Sequence, residues 1–250
     1  MHWFYVGNSQ IVEDKIYITG QDVNHIRNVL RMEAGERIAV CNGEGRDYFG
    51  RLELVTADQV VMKIDSMGDS KSELTSRIYL FQGLPKKDKM ELIIQKAVEL
   101  GVYQVIPVSM KRCVVKIEDK KKELKKIERW QTIAEAAAKQ SGRGMIPEVH
   151  EVLTYKDALD YAGTLGFNIL PYEQADGMEH SRQMIKAACR HDTIGIFIGP
   201  EGGFDDLEIE QAKKYGMEPI TLGRRILRTE TAGLAVLSVM MFELEGNTKE

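Results

Sequence analysis

Up to about residue 65, apolar side chains fall largely on alternate positions, the period of a half-buried strand. Lys15-Ile16-Tyr17-Ile18-Thr19 and Arg37-Ile38-Ala39-Val40-Cys41 alternate, and Val60-Val61-Met62-Lys63-Ile64 does so more weakly. Asn42-Gly43 and Glu44-Gly45 supply positive-φ positions for a tight reversal into a strand from Arg46 to Leu54. The one helical interruption runs from Gln21 to Met32, capped by Thr19 or Asp22, with Val23, Ile26, Val29 and Leu30 as its apolar stripe. Many short strands with one helix predict a small β-barrel. The stretch from Asp65 to Glu73 is polar, small and aperiodic, and reads as a linker.

Beyond it the period changes. Arg77–Phe81, Gln104–Val108, Phe167–Leu170, Thr193–Ile198 and Pro219–Leu222 are short apolar runs separated by helical segments. Lys87–Leu100 carries Met90, Ile93, Ile94, Ala97 and Val98 on one face, with Gly101 suited to end it. Further helices are expected over Asp119–Gln140 and Asp205–Tyr215. Strands alternating with helices predict an α/β domain with a parallel sheet covered on both faces. The last helix, Leu234–Leu244, is apolar on nearly all sides, which suits a core or a subunit interface.

At 250 residues the chain accommodates one large domain or two ordinary ones. A net charge of −4 excludes a uniformly basic nucleic-acid-coating protein, so any such surface is a local patch. Cys41, Cys113 and Cys189 show no paired spacing and read as thiols in a reducing compartment. No leader pattern and no membrane-length apolar run is visible, so a soluble cytoplasmic protein is expected. The five histidines lack metal-ligand spacing, and no metal is expected.

Ligands of open parallel sheets bind beyond the carboxyl ends of the strands. Gly199-Pro200-Glu201-Gly202-Gly203-Phe204 stands at such an end, where glycines let backbone approach a ligand and Pro200 restricts the turn. It lacks the Walker and dinucleotide glycine patterns, and by itself is read equally well as a tight strand-to-helix turn. A second glycine loop, Leu222-Gly223-Arg224-Arg225-Ile226-Leu227-Arg228, favours a shared ligand site, with Arg228 squeezed between the loop and the apolar helix. Among basic residues, the run Lys120–Lys126 is balanced by neighbouring acids. Arg27 with Arg31 (one helix face, four residues apart), Lys111 with Arg112, and Arg143 are the better phosphate candidates.

Five blocks, in order, carry a resemblance over essentially the whole chain. They are His25-x-x-x-Val29-Leu30-Arg31; Lys89-Met90-Glu91 through Glu99-Leu100-Gly101-Val102; and Glu128-Arg129-Trp130 through Gln140-Ser141-x-Arg143. Ile198–Phe204 and Leu222-Gly223-x-Arg225-Ile226-Leu227-Arg228-x-Glu230-Thr231-Ala232 complete the set. Together they resemble the bacterial 16S ribosomal RNA uridine N3-methyltransferases of the SPOUT superfamily.

The resemblance implies a PUA-like RNA-binding β-barrel over residues 1–70 and a SPOUT-type, trefoil-knotted, parallel-sheet α/β methyltransferase domain over 74–250. It implies a homodimer, S-adenosylmethionine as cofactor and 16S rRNA of the small ribosomal subunit as partner. The adenine is then held by backbone of Gly199, Glu201, Gly202, Leu222, Gly223 and Leu227, against Leu170 and Ala232. Pro200, Gly203, Ile226 and Arg228 complete the cofactor set. Uridine N3 becomes nucleophilic on losing its proton, and Arg228 is placed to stabilise the resulting anion. Glu201 or Glu230 takes the proton or anchors the loop. Where the family opens with an Arg before its first aromatics, this chain has His2-Trp3. The alternatives are an RNA methyltransferase with another target, such as transfer RNA, and a non-catalytic RNA-binding ribosome-assembly factor.

Overall fold

A computed structural model describes residues 1–115, 119–175 and 177–245. The chain forms two units: one takes Met1–Glu73 together with Ala138–Ile146, the other Leu74–Ala137 and the chain from Pro147.

In the first unit, β1 (His2–Tyr5), β2 (Ile11–Val12), β3 (Lys15–Ile18), β4 (Arg37–Cys41), β5 (Arg46–Val55) and β6 (Val60–Asp69) pair in the order β1-β4-β5-β6-β3-β2. Only the β1–β4 pairing is parallel. Alternation sorts the faces: Ile16, Ile18, Ile38, Val40, Leu52 and Met62 are at most 2% exposed around one core. At the bulge between Phe49 and Gly50, a Cβ on Gly50 would collide with the Lys63 carbonyl oxygen, so this crossing requires glycine.

The helix expected over Gln21–Met32 is cut short. α1 is Gln21–Asn24, a π turn covers His25–Val29, and Arg31 sits at φ +54°. The Met32 N–H bonds the Ile26 carbonyl at 3.0 Å, turning the chain inward and burying Met32. Arg27 and Arg31 therefore do not share a helix face.

Residues 138–146 are held against the strands of this unit by polar contacts. The Gly144 carbonyl accepts from Gly45 N–H and from Cys41 Sγ–H, each at 2.8 Å. Burial pushes the Cys41 thiol up to about 11, which keeps it protonated and able to donate. Arg143 is 4% exposed and ion-paired with Glu73, while its carbonyl accepts from the Tyr5 hydroxyl.

The second unit contains β7 (Arg77–Gly83), α2 (Lys89–Glu99), β8 (Gln104–Ser109), α3 (Lys120–Ser141, its last turn from Ala138 in the first unit) and β9 (Glu148–Val149). It continues with β10 (Leu153–Thr154), α4 (Tyr155–Ala162), β11 (Phe167–Pro171), α5 (Met178–Ala188), β12 (Thr193–Ile198), α6 (Asp206–Lys214), β13 (Glu218–Ile220) and α7 (Thr229–Glu245). The sheet order is β10-β8-β7-β12-β11-β13, with β9 beside β8, and every pairing is parallel. Central strands are buried on both faces, so they read as continuous apolar runs. Ile78, Leu80 and Phe81 of β7 and Ile194, Ile196 and Phe197 of β12 are 0% exposed, and the rings of Phe81 and Phe197 stack at 4.3 Å. Gly101 (φ +87°) and Gly216 (φ +72°) end α2 and α6 in the left-handed conformation, as a Schellman turn requires.

The path after β12 positions the site. The chain leaves the edge strand β13, and Thr221 and Leu222 already belong to a loop rather than to the expected strand. It then returns to the middle of the sheet as α7, beside β12 and α2. This return is where the resemblance places the trefoil knot. A buried hydrogen-bond relay fastens it: Thr229 Oγ1 donates to the Gly199 carbonyl at 2.6 Å and accepts from Gln82 Nε2 at 2.9 Å. Gln82 is 0% exposed and Thr229 6%. Gly83, next along β7, has no room for a Cβ, which would sit 2.7 Å from the Pro200 nitrogen.

Three substitutions test this account in urea melts. Gly50→Ala should destabilise the protein by about 1–3 kcal/mol, the usual cost of overpacking. Gly233→Ala in α7 should be neutral or slightly stabilising, because its Cβ meets Ile198, Gln82 and Leu80 at ordinary contact distances of 3.5–3.7 Å. Thr229→Val keeps the shape but removes the donor to the half-buried Gly199 carbonyl and one of the two acceptors of the buried Gln82 amide, and should cost about 1–3 kcal/mol.

Candidate active site

The two glycine loops face each other across a cleft of about 790 Å³ beyond the carboxyl ends of β11 and β12. Residues 199–203 line one side, tightened by the Gly203 N–H to Pro200 carbonyl bond of 2.9 Å with Gly203 at φ +68°. Residues 221–229 and Ala232 line the other, with Gly223 at φ +108°. Both walls present main chain at close quarters, which suits a ligand recognised by backbone donors and acceptors.

Of the residues expected to hold a cofactor, Gly199, Pro200, Glu201, Gly202, Gly203, Leu222, Gly223, Ile226, Leu227, Arg228 and Ala232 all line this cleft. Leu170 does not: it is 1% exposed inside β11, and the next residues, Pro171 and Tyr172, form the wall in its place. Strand alternation turns Leu170 into the core.

Arg228 is exposed, its side chain makes no ion pair among the described residues, and its carbonyl accepts the Thr231 and Ala232 N–H groups at 2.9 Å to start α7. The guanidinium is thus free at the cleft while its own backbone is fixed. Glu201 and Glu230 are tied to one cation. Lys89 Nζ lies 3.1 Å from each carboxylate, and the Lys86 N–H donates to Glu201 at 3.0 Å. Burial raises the Glu201 carboxyl, but the Lys86 N–H, its own N–H and the Lys89 ammonium outweigh this and hold it below the usual range. The same two carboxylates raise the Lys89 ammonium above its usual value. A carboxylate so held is a weak proton acceptor and a firm anchor.

The phosphate candidates fare differently. Arg112 lines the cleft, donating to the Gly202 carbonyl at 3.1 Å, and Lys111 pairs with Asp205 at 3.0 Å while remaining 61% exposed. The Lys111 backbone N–H is held by buried Glu208 at 2.8 Å. Arg27 and Arg31 are exposed in the first unit. Arg143 is not available as an RNA contact, because its guanidinium is buried against Glu73. Sequence reasoning did not single out Lys89, Tyr172, Arg224 or Arg225, all of which line the cleft. Lys89 was legible only as one residue of a resemblance block, with no role attached, since its carboxylate partners lie more than a hundred residues away.

Comparison with known proteins agrees with this geometry. The RNA methyltransferase domain family matches residues 72–241, and the RNA methyltransferase PUA domain family matches residues 18–65. A ribosomal RNA small subunit methyltransferase E from Bacillus subtilis is 36% identical over 91% of this chain and 90% of its own length. A solved structure of a ribosomal RNA small subunit methyltransferase E from Neisseria gonorrhoeae, bound to S-adenosylmethionine, superposes with a TM-score of 0.79 at 32% identity, covering 97% of both chains. A Legionella pneumophila methyltransferase in complex with the same cofactor gives 0.78 at 32% identity, covering 96% of each chain. With both domain families in order and the relatives matched almost end to end, the chain belongs to the ribosomal RNA small subunit methyltransferase E family.

Proposed function

We propose that this protein methylates N3 of a uridine in 16S rRNA of the small ribosomal subunit, with S-adenosylmethionine as methyl donor. The observation that carries the reading is the cleft that both glycine loops share, with Arg228, which makes no ion pair among the described residues, at its rim. Its backbone-rich walls fit a nucleoside-containing cofactor: residues 199–203 on one side and Leu222, Gly223 and Leu227 on the other would hold it, with Ala232, Pro171 and Tyr172 as neighbours. When bound, the cofactor supplies a methyl group activated on a sulfonium.

The chain's own residues then orient the base and favour its anion. The guanidinium of Arg228 offers planar donors to the carbonyl oxygens flanking N3, stabilising negative charge as the N3 proton passes to solvent water, in the manner of an oxyanion hole. Glu201 and Glu230 act as anchors through Lys89, and Glu230 also places negative charge in the first turn of α7, where the helix dipole favours it. N3 lies on the pairing edge, so the target base is accepted unpaired. Arg112, Arg224 and Arg225 supply positive charge for the surrounding phosphates. The protein works as a cytoplasmic homodimer joined through the face of α7 that its own core leaves open, where Val239 is 51% and Phe242 79% exposed.

Calorimetry should show S-adenosylmethionine or its demethylated product binding without RNA; no binding would leave a non-catalytic assembly factor as the reading. Arg228→Ala should lower kcat, measured at saturating cofactor, by about 10²–10³, as for loss of an oxyanion donor; near-normal turnover would remove Arg228 from its role. Reverse transcription of ribosomal RNA from cells with and without the gene should show a stop that depends on the gene. A stop on transfer RNA instead would reassign the target. Phe242→Glu should shift the protein to a monomer in sedimentation.

A further inference from the structure

The outward face of the first unit's sheet carries a pattern that the cleft does not explain. Strand registers place Trp3, Ala39 and Phe49 in one row across β1, β4 and β5. Ala39 is too small to hold its neighbours apart, and the two rings meet edge to face with centroids 5.7 Å apart and planes at 81°. Ala39 is 0% exposed, whereas Trp3 remains 44% exposed.

Two residues further along each strand, about 7 Å away, the same face shows a second row. Arg37 opposes Arg51, Arg51 opposes Lys63, and Lys63 opposes Lys15, across β4, β5, β6 and β3. Like charges directly opposite one another destabilise a sheet, and here three such pairs are consecutive. Asp65 lies 3.5 Å from Arg51 and Glu53 lies 2.7 Å from Lys15. Arg37 and Lys63 are exposed and make no ion pair among the described residues. The row thus keeps uncompensated positive charge at Arg37 and Lys63, beside an exposed tryptophan backed by a half-buried phenylalanine.

We propose that this face binds single-stranded RNA, with one unpaired base stacked on Trp3, which Phe49 braces edge-on, and the adjoining phosphates on Arg37, Arg51 and Lys63. The proposal rests on the RNA-substrate reading above and adds the surface and the chemistry that hold the strand. A base stacks on an aromatic side chain whatever its sequence, and phosphates answer a cation row. A ring left open beside a cation row matches a nucleic-acid strand, which presents flat bases and phosphates side by side.

Trp3 and Trp130 are the two tryptophans, and Trp130 is 6% exposed, so a Trp130→Phe background makes emission report Trp3. Titration with a short uridine-rich single-stranded oligoribonucleotide should quench that emission. By anisotropy, Trp3→Ala should weaken binding about tenfold or more, and Trp3→Phe should restore most of the loss. Arg37→Ala and Lys63→Ala, both exposed and independent of how Trp3→Ala folds, should each reduce the slope of log affinity against log salt by about 0.7. Cofactor binding by calorimetry should stay unchanged in all of them. Unquenched emission, with affinity and salt slope untouched by these variants, overturns the proposal while leaving the methyltransferase reading intact. A change of sedimentation rather than of RNA affinity in Trp3→Ala also overturns it, since the face then joins copies of the chain.

Discussion

Everything at the cleft depends on one side chain with both a donor and an acceptor. Thr229 Oγ1 gives its proton to the Gly199 carbonyl at the cleft wall and receives one from the fully buried Gln82. A hydroxyl is needed because the two partners have opposite demands: a carbonyl that must be given a proton and an amide that must place one. The bond joins the end of β12 to the start of α7 across thirty residues of chain. The second glycine loop is the segment immediately before Thr229, so its position follows from where that residue is held. The relay also specifies the arrangement, since any slip of α7 would strand further polar groups beside the Gln82 Oε1, which already has no partner among the described residues.

The parts legible in the sequence were those governed by short-range period or backbone chemistry. Alternation identified β3 and β4, continuous apolar runs identified β7 and β12, and Gly101 and Gly216 marked helix ends. β9 and β10, of two residues each, are too short to show a period. The shortened helix after Gln21 escaped because its apolar spacing suits a longer helix; a tertiary choice, burial of Met32, overrode it. Both glycine loops were recognisable, but not the lysine that anchors them. Lys89 acquires its meaning only when folding brings Glu201 and Glu230 to it, and no local pattern encodes that. Arg143 failed as a phosphate candidate for the same reason, its partner Glu73 being supplied by distant chain.

Charge is handled in opposite ways at two places on the molecule, and the contrast separates support from recognition. Around Lys89, two carboxylates share one ammonium and a backbone donor, so each group is satisfied by geometry the fold itself provides. Such a group is already committed, which is why Glu201 serves better as an anchor than as a base. Arg228, Arg37 and Lys63 are cations that the fold positions without assigning them an ion-pair partner among the described residues. Exposed pairs contribute little to stability, so nothing in folding demands three consecutive like-charge neighbours across a sheet. An arrangement that folding disfavours, placed next to a ring that burial would favour covering, is most economically explained by a polyanion with flat bases. The same logic at the cleft is what the proposed role of Arg228 rests on: a cation without an ion-pair partner among the described residues, at the rim of a cleft built of main chain.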